Sequence, residues 1–283
     1  MRTALFLAPE TMDEALAMLS EYGEEATVLA GGTDVMPQVN LGLAKPRVFL
    51  FIGRLGLEYV HSSRQELIVG SATRIKTLME SPLVRKRAAV LAEGAASLGS
   101  PLTKSLATIG GNICNASPAA DTATPLIALG AEVVLVSKRG ERVVPITKFF
   151  TGPGTTVRKP NELLKEFRIP VAKRSTKFIK LERRHALSLS IVNVAVSARN
   201  GGAKLQDVRI ALGAVAPTPV RALHAEKLLL GEPLSDALIE EAANAAVQDI
   251  KPISDVHGSK WYRTKVTPVL VARALHAAVE EAK

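Results

Sequence analysis

One cysteine, Cys114, stands in 283 residues. A lone thiol closes no internal disulfide, which fits a reducing compartment, and it cannot supply the several thiolates of an iron–sulfur cluster or structural zinc site. Aromatic residues are scarce too, at 4%, leaving few platforms on which single-stranded bases could stack. The formal charge of +9 raises the question of a polyanion. Lys and Arg are nevertheless scattered, or in short groups such as Arg85-Lys86-Arg87 and Arg183-Arg184. No nucleic-acid partner is expected, since a dianionic cofactor or an acidic partner subunit accounts for the charge as well. No apolar run approaches the roughly 20 residues of a membrane helix. The opening Met1-Arg2-Thr3-Ala4-Leu5-Phe6-Leu7-Ala8-Pro9 lacks the length and cleavage pattern of a signal peptide. The expectation is a cytoplasmic protein with no membrane span. Also missing are a Gly-x-Gly-x-x-Gly after the first strand and a Gly-x-x-x-x-Gly-Lys-Ser/Thr, so neither a Rossmann nor a P-loop nucleotide site has support. His61, His185, His224, His257 and His276 are dispersed without metal-ligand spacing. Neither a metal site nor a catalytic residue is expected.

What is present reads as three α+β units. In the first, over 1–55, a short apolar run at 4–8 precedes Thr11-Met12-Asp13-Glu14, which has the capping-box pattern. Ala15, Leu16, Leu19 and Tyr22 then recur at helical spacing and Gly23 is a plausible stop. Apolar strands at 26–30 and 48–52 complete a strand–helix–strand alternation, which argues for parallel pairing. The second unit, over 56–174, sets strands at 67–69, 132–137, 142–145 and 163–169 around helices at 83–98 and 119–129. The third, over 175–283, opens with strands at 177–181, 191–198 and 208–215 and continues with helices at 222–230, 235–250 and 261–281. No long linker separates them, so the units are expected to pack together.

Two glycine-rich turns carry the chemistry. In Leu29-Ala30-Gly31-Gly32-Thr33-Asp34 an apolar strand ends in paired glycines, whose missing Cβ atoms let a phosphate oxygen approach backbone N–H donors. Thr33 adds a hydroxyl. Taken alone, the hexapeptide is equally well a plain strand-to-loop turn. Ala107-Thr108-Ile109-Gly110-Gly111-Asn112-Ile113 repeats the ingredients, with Thr108 and Asn112 flanking the glycines. Two such turns facing each other from different units would hold a diphosphate between them.

These turns, together with Asn115-Ala116-Ser117-Pro118-Ala119-Ala120-Asp121-Thr122, resemble the FAD-binding subunit of the molybdenum hydroxylases, the group of xanthine dehydrogenase and aerobic carbon monoxide dehydrogenase. The resemblance extends to Glu162-Leu163-Leu164, Ile169-Pro170 and Gly258-Ser259-Lys260-Trp261-Tyr262-Arg263, and so covers essentially the whole chain. It implies an α+β chain with the vanillyl-alcohol-oxidase-like FAD-binding fold of two α/β subdomains. A C-terminal domain like that of the carbon monoxide dehydrogenase flavoprotein would follow. It implies FAD between the first two units, with Leu29, Ala30, Gly31, Gly32, Thr33, Asp34, Val35 and Met36 and then Thr108, Ile109, Gly110, Gly111 and Asn112 around the diphosphate. Asp121 would hydrogen-bond the cofactor's polar chain, Leu164 would contact the flavin region, Leu98 would sit where the family has an apolar or aromatic contact, and Lys180 would lie near the isoalloxazine. A lysine there would stabilise negative charge on the reduced ring. Without the motif, Lys180 reads as an exposed strand lysine and Asp121 as a helix N-cap.

The implied function is electron transfer. A partner chain would hydroxylate substrate at a molybdenum cofactor, and [2Fe–2S] clusters on a small partner chain would relay the electrons. FAD on this chain would pass them to an external acceptor, in a dimer of heterotrimers. A free-standing FAD-dependent oxidase or reductase of the same fold is the alternative. One segment departs from the family pattern: Pro101-Leu102-Thr103-Lys104 replaces a Gln-Ile-Arg-Asn-like run, keeping only the apolar anchor Leu102. The branch that carries an extra iron–sulfur cluster in this subunit does not fit a chain with Cys114 alone, and Cys114 reads as a packed side chain.

Overall fold

The structure is a computed structural model that describes residues 4–184, 187–200 and 204–280. Met1, Arg2 and Thr3 of the opening run, His185, and Glu281 at the expected end of the last helix lie outside the described residues.

The first unit comprises β1 (Leu5–Leu7), α1 (Met12–Tyr22), β2 (Ala26–Leu29), α2 (Val35–Asn40) and β3 (Val48–Phe51). Its sheet has the order β1-β3-β2 with both pairings parallel. The capping box is formed: Glu14 N–H donates to Thr11 Oγ1 at 3.2 Å and Glu14 Oε2 accepts from Thr11 N–H at 3.3 Å. Gly23 closes α1 at φ +52°, where a side chain would be strained.

The middle unit contains β4 (Val60–Ser62), β5 (Glu66–Gly70), α3 (Ile75–Glu80), α4 (Pro82–Arg87), α5 (Ala89–Ser97), α6 (Pro101–Leu106), α7 (Ile109–Cys114) and α8 (Ala123–Leu129). It continues through β6 (Glu132–Ser137), β7 (Gly140–Pro145), the hairpin β8 (Phe150–Gly152) and β9 (Thr155–Thr156), and β10 (Leu163–Pro170). Its main sheet is antiparallel in the order β4-β5-β10-β6-β7. The last unit has β11 (Ser175–Leu181), β12 (Val192–Asn200), β13 (Leu205–Gly213) and β14 (Val220–Arg221) in one antiparallel sheet. Helices α9 (Leu223–Leu229), α10 (Asp236–Ala245) and α11 (Lys260–Glu280) cover it.

Helix reading from the sequence erred mainly in the middle unit. The single helix expected over 83–98 is two, broken at Ala88 (φ −149°, ψ 54°). The helix expected over 119–129 starts only at Ala123, because turns at 118–119 and 121–122 occupy the residues before it. Helices α3, α6 and α7 have six residues each, too short to show a helical period. In the last unit, α10 ends at Ala245 and a 3-10 turn over Ala246–Asp249 follows.

The units share cores. Leu16, Leu19, Leu50 and Ile52 of the first unit pack with Val134, Val136 and Leu163 of the middle sheet. The middle core, around Phe149, Phe167 and Leu126, takes in Phe178, Ala195 and Ala211 of the last sheet. No helix among the described residues is long and apolar enough to cross a membrane.

One ion pair, between the buried Glu162 and the partly exposed Arg142, ties the edge of the middle unit. Arg142 Nε and Nη2 donate to Glu162 Oε1 and Oε2 at 2.6 and 2.8 Å, and Lys159 N–H donates to the same carboxylate at 2.7 Å. Burial would raise the Glu162 carboxyl, but Arg142 and the Lys159 amide outweigh it and hold it below its ordinary value. A depressed acid contributes stability above its unfolded pKa, about 4.3, and loses it as pH falls through the lower folded value. Glu162→Gln should therefore cost about 1–3 kcal/mol at neutral pH. The difference from the native chain should shrink in unfolding curves recorded below about pH 4.

Candidate functional site

Strand β2 ends at Leu29, and the turn Ala30-Gly31-Gly32-Thr33-Asp34 leads into α2. Gly32 sits at φ +70°, a conformation glycine adopts without strain. The Gly32 and Asp34 carbonyls accept from Met36 N–H at 3.0 Å and Gln38 N–H at 3.3 Å, but the N–H groups of Gly31, Gly32, Thr33 and Asp34 find no acceptor among the described residues. Successive unpaired amides at a glycine turn form a concavity suited to an anion. Val35 is half-buried, and Met36 is exposed at the start of α2.

The second turn differs from its sequence reading. Thr108 caps a helix, α7, rather than a loop, and its backbone donors are already spent. Ile109 N–H donates to the Thr73 carbonyl at 3.0 Å and Gly110 N–H to the Ser71 carbonyl at 2.8 Å. Gly111 N–H donates to Thr108 Oγ1 at 3.1 Å. What this segment offers is the Asn112 amide: its Oδ1 accepts from Thr122 Oγ1 at 2.6 Å, fixing the side chain with its NH2 group unengaged among the described residues. The glycines are also unequal. A Cβ on Gly110 would meet the Ser71 carbonyl oxygen at 2.6 Å, so the packing of α7 against Ser71 requires a glycine here. A Cβ on Gly111 would meet only its own cap, Thr108 Oγ1, at 3.0 Å.

The two turns are in contact. A Cβ on Gly31 would lie 1.8 Å from the Leu106 carbonyl oxygen and 3.1 Å from Ala107 N, so the first turn lies directly on the lead-in to the second. That lead-in is α6, in the segment where the family pattern is lost. Ser100 Oγ caps it by accepting from Thr103 N–H at 3.0 Å, and Lys104 Nζ reaches the Ala96 carbonyl at the end of α5. Helix capping thus rebuilds the segment. Leu102 is not the apolar anchor expected of it: it is 72% exposed.

Asp121 and Lys180 meet at the junction of the middle and last units. Lys180 Nζ donates to Asp121 Oδ2 at 2.8 Å and to the Ser97 carbonyl at 3.0 Å, and lies 3.4 Å from Glu182 Oε2. Both side chains are almost wholly buried, so Lys180 is not an exposed strand lysine. Two of its three N–H groups are engaged in hydrogen bonds, to Asp121 and Ser97, and the Glu182 carboxylate lies within ion-pair distance. Asp121 does not cap α8; its Oδ1 accepts from Ser190 Oγ at 2.7 Å and Asn193 Nδ2 at 3.3 Å. Burial pushes the Asp121 carboxyl up, against the pull of Lys180 and Ser190. Leu98 follows α5 and packs half-buried against the middle core, while Leu164 is buried in that core on β10.

Ser190, Asn193, Thr124 and Glu182 were not picked out from the sequence. They belong to no motif, and only the pairing of distant strands assembles them. Cys114 is packed: burial pushes its thiol up to about 11. At pH 8 only about one thiol in a thousand would be ionised. A thiol-reactive dye should label the native chain far more slowly than the denatured one, and equal rates would contradict this packing.

The fit to a dinucleotide rests on observations of this chain: four amides on one turn without a partner among the described residues, and a side-chain amide, likewise unengaged, on the segment that follows the Leu106–Ala107 contact. A buried positive charge on the neighbouring sheet completes the set. Comparison with known proteins defines the class. Residues 2–172 match the family described as the FAD-binding domain in molybdopterin dehydrogenase, and residues 177–278 match the carbon monoxide dehydrogenase flavoprotein C-terminal domain.

The chain belongs to the family of FAD-binding medium subunits of the molybdenum hydroxylases, and is an oxidoreductase flavoprotein subunit. It is 33% identical to the glyceraldehyde dehydrogenase medium chain of Sulfolobus acidocaldarius over 95% of its own length and 96% of that chain. To the carbon monoxide dehydrogenase medium chain of Hydrogenophaga pseudoflava it is 33% identical, over 96% and 95% of the two lengths. Among solved structures, carbon monoxide dehydrogenase from Hydrogenophaga pseudoflava superposes with a TM-score of 0.95 at 33% identity, covering 99% of each chain. Quinoline 2-oxidoreductase from Pseudomonas putida superposes at 0.92 with 26% identity, over 98% of each. The vanillyl-alcohol-oxidase-type reading of the first two units, followed by a flavoprotein C-terminal domain, agrees with these matches.

Proposed function

We propose that this chain is the electron-transfer subunit of a cytoplasmic molybdenum hydroxylase and holds its FAD against the junction of the Gly31 turn and α7. The observation that carries the reading is the row of unpaired amides from Gly31 to Asp34, set directly against the segment leading to Asn112. In this reading those amides and Thr33 bind the diphosphate, with Asn112 donating from the opposite side. Leu29, Ala30, Val35 and Met36 flank the first turn, and Thr108 and the glycines at 110 and 111 shape the second. Leu98 and Leu164 supply the apolar wall that keeps water from the ring. The pair Lys180–Asp121 fixes the charge beside it. FAD, when bound, supplies the redox chemistry, taking electrons singly and releasing them in pairs. The working units are 1–55, 56–174 and 175–283, the first two enclosing the cofactor and the third closing over it.

The partners in this reading are a small chain with [2Fe–2S] clusters and a large chain with the molybdenum cofactor, assembled as a dimer of heterotrimers. Support comes from the relatives: chains named as medium chains or FAD-binding subunits match over nearly their full lengths. This favours the subunit reading over a free-standing flavin oxidase or reductase. The test is purification from the native host through a tag on this chain. One large and one small co-purifying chain, with molybdenum and iron, is the expected result. A lone yellow chain without either metal would overturn the subunit reading in favour of a free-standing flavoenzyme.

A further inference from the structure

Thr124, Asn193, Ser190 and Asp121 form a continuous hydrogen-bonded chain that ends on Lys180. Thr124 Oγ1 donates to Asn193 Oδ1 at 2.8 Å, which orients the amide. Asn193 Nδ2 then donates to Ser190 Oγ at 3.1 Å and Asp121 Oδ1 at 3.3 Å. Ser190 Oγ, with its acceptor site occupied by Asn193, gives its proton to Asp121 Oδ1 at 2.7 Å. Every member is buried: Thr124 and Asn193 are 0% exposed, Ser190 1% and Asp121 6%. The backbone is shaped to admit the amide. Asn193 pairs with Gly213 across the β12–β13 ladder, and a Cβ on Gly213 would lie 2.3 Å from Asn193 Oδ1. Gly213 therefore makes room for Asn193.

Polar groups buried this deeply and this completely satisfied specify a single arrangement. Here the arrangement aims two donors, Ser190 Oγ and Asn193 Nδ2, at one carboxylate oxygen. The charged groups that face Asp121 are Lys180, in direct contact, and Glu182, whose Oε2 lies 3.4 Å from Lys180 Nζ. Two carboxylates thus share one ammonium. Loss of a donor to Asp121 favours its protonated form, and protonation leaves Lys180 with one anionic partner in place of two.

We propose that Ser190 and Asn193 are positioning residues for electron transfer: they keep Asp121 ionised, and thereby set the net charge that the Lys180 cluster presents to the flavin. The inference rests on the functional reading above, which places Lys180 beside the ring. Removing negative charge near a flavin favours its reduction, so the potential of bound FAD should rise when Asp121 takes up a proton.

The experiment uses the whole complex, purified through a tag on this chain, in native, Ser190→Ala and Ser190→Thr forms. The midpoint potential of FAD is followed by spectroelectrochemistry across the pH range in which the complex stays folded, since burial raises the Asp121 carboxyl above its ordinary value. Ser190→Ala removes one small side-chain oxygen and should keep its FAD. Its potential should be more positive than native, with the inflection of the pH profile moved to higher pH. Ser190→Thr, which restores a hydroxyl, should return both to native. A purely structural serine would move neither quantity. Ser190→Ala with full FAD and a potential profile identical to native would overturn the proposal. A native complex that contains no FAD would overturn the functional reading itself, which is a different result from FAD present with an unmoved potential.

Discussion

Gly31→Ala is expected to yield a folded chain that no longer retains FAD. The added methyl would sit 1.8 Å from the Leu106 carbonyl oxygen and 2.6 Å from its carbon, and both are backbone atoms that cannot swing aside. The two segments must separate, or the turn must take another path. In either case the amides of Gly31 to Asp34 leave their place against the segment that leads to Asn112. The first unit should remain docked, because its attachment to the middle sheet runs through Leu16, Leu19, Leu50 and Ile52 against Val134 and Leu163, away from this contact. Circular dichroism close to native, with loss of the flavin absorbance from the purified complex, is the predicted pair of results. A variant that keeps stoichiometric FAD would show that the turn does not hold the diphosphate. Gly32→Ala is a milder control: its Cβ would meet only the Met36 and Leu29 side chains at 3.2 and 3.5 Å, and its cost is the strain of φ +70°.

Asp121→Ala should be the most destabilising single change at the junction of the middle and last units. It leaves Lys180 buried with only Glu182 as a counter-charge, and strips Ser190 of its acceptor. Breaking one side of a buried ion pair typically costs about 3–5 kcal/mol, since the remaining charge stays desolvated. Replacing both partners should be less harmful. Asp121→Asn combined with Lys180→Met should therefore recover part of the loss in denaturant unfolding. Additive losses in the double variant would mean that the pair is not energetically coupled. The raised affinity of Asp121 for a proton has a sign as well. A carboxyl pushed up by burial disfavours the folded state as pH rises through its folded value, so Asp121→Asn should cost less stability at alkaline pH than at acid pH.

Much of this architecture was legible in the residues, for physical reasons. The parallel first sheet followed from strands alternating with a capped amphipathic helix, and the Thr11–Glu14 box forms as its spacing implied. Strands of the middle and last units were marked by apolar runs between turn residues. The short helices were not legible: Ile109-Gly110-Gly111-Asn112-Ile113-Cys114 contains two glycines, poor helix formers, and becomes helical because Ser71 and Thr73 carbonyls accept its first amides. For the same reason the backbone donors of the second turn, which the paired glycines suggested were free, are engaged within the protein. Two adjacent glycines look alike in sequence, yet one faces Ser71 and the other does not. Leu102 misled in the opposite way, since an apolar residue at a matching motif position was taken for an anchor and is exposed. Lys180 and Asp121 were singled out only through the motif they resemble. Their mutual contact, and the relay through Ser190 and Asn193, depend on β11 and β12 pairing beside α8.

In the proposed function this chain itself carries FAD between its two glycine turns. This is tested most directly by releasing the flavin from the native complex and measuring its identity and amount per chain, in parallel with the Gly31→Ala form. One FAD per native chain, and little or none in the variant, is the predicted result. FMN, no flavin, or equal FAD in both forms would contradict it.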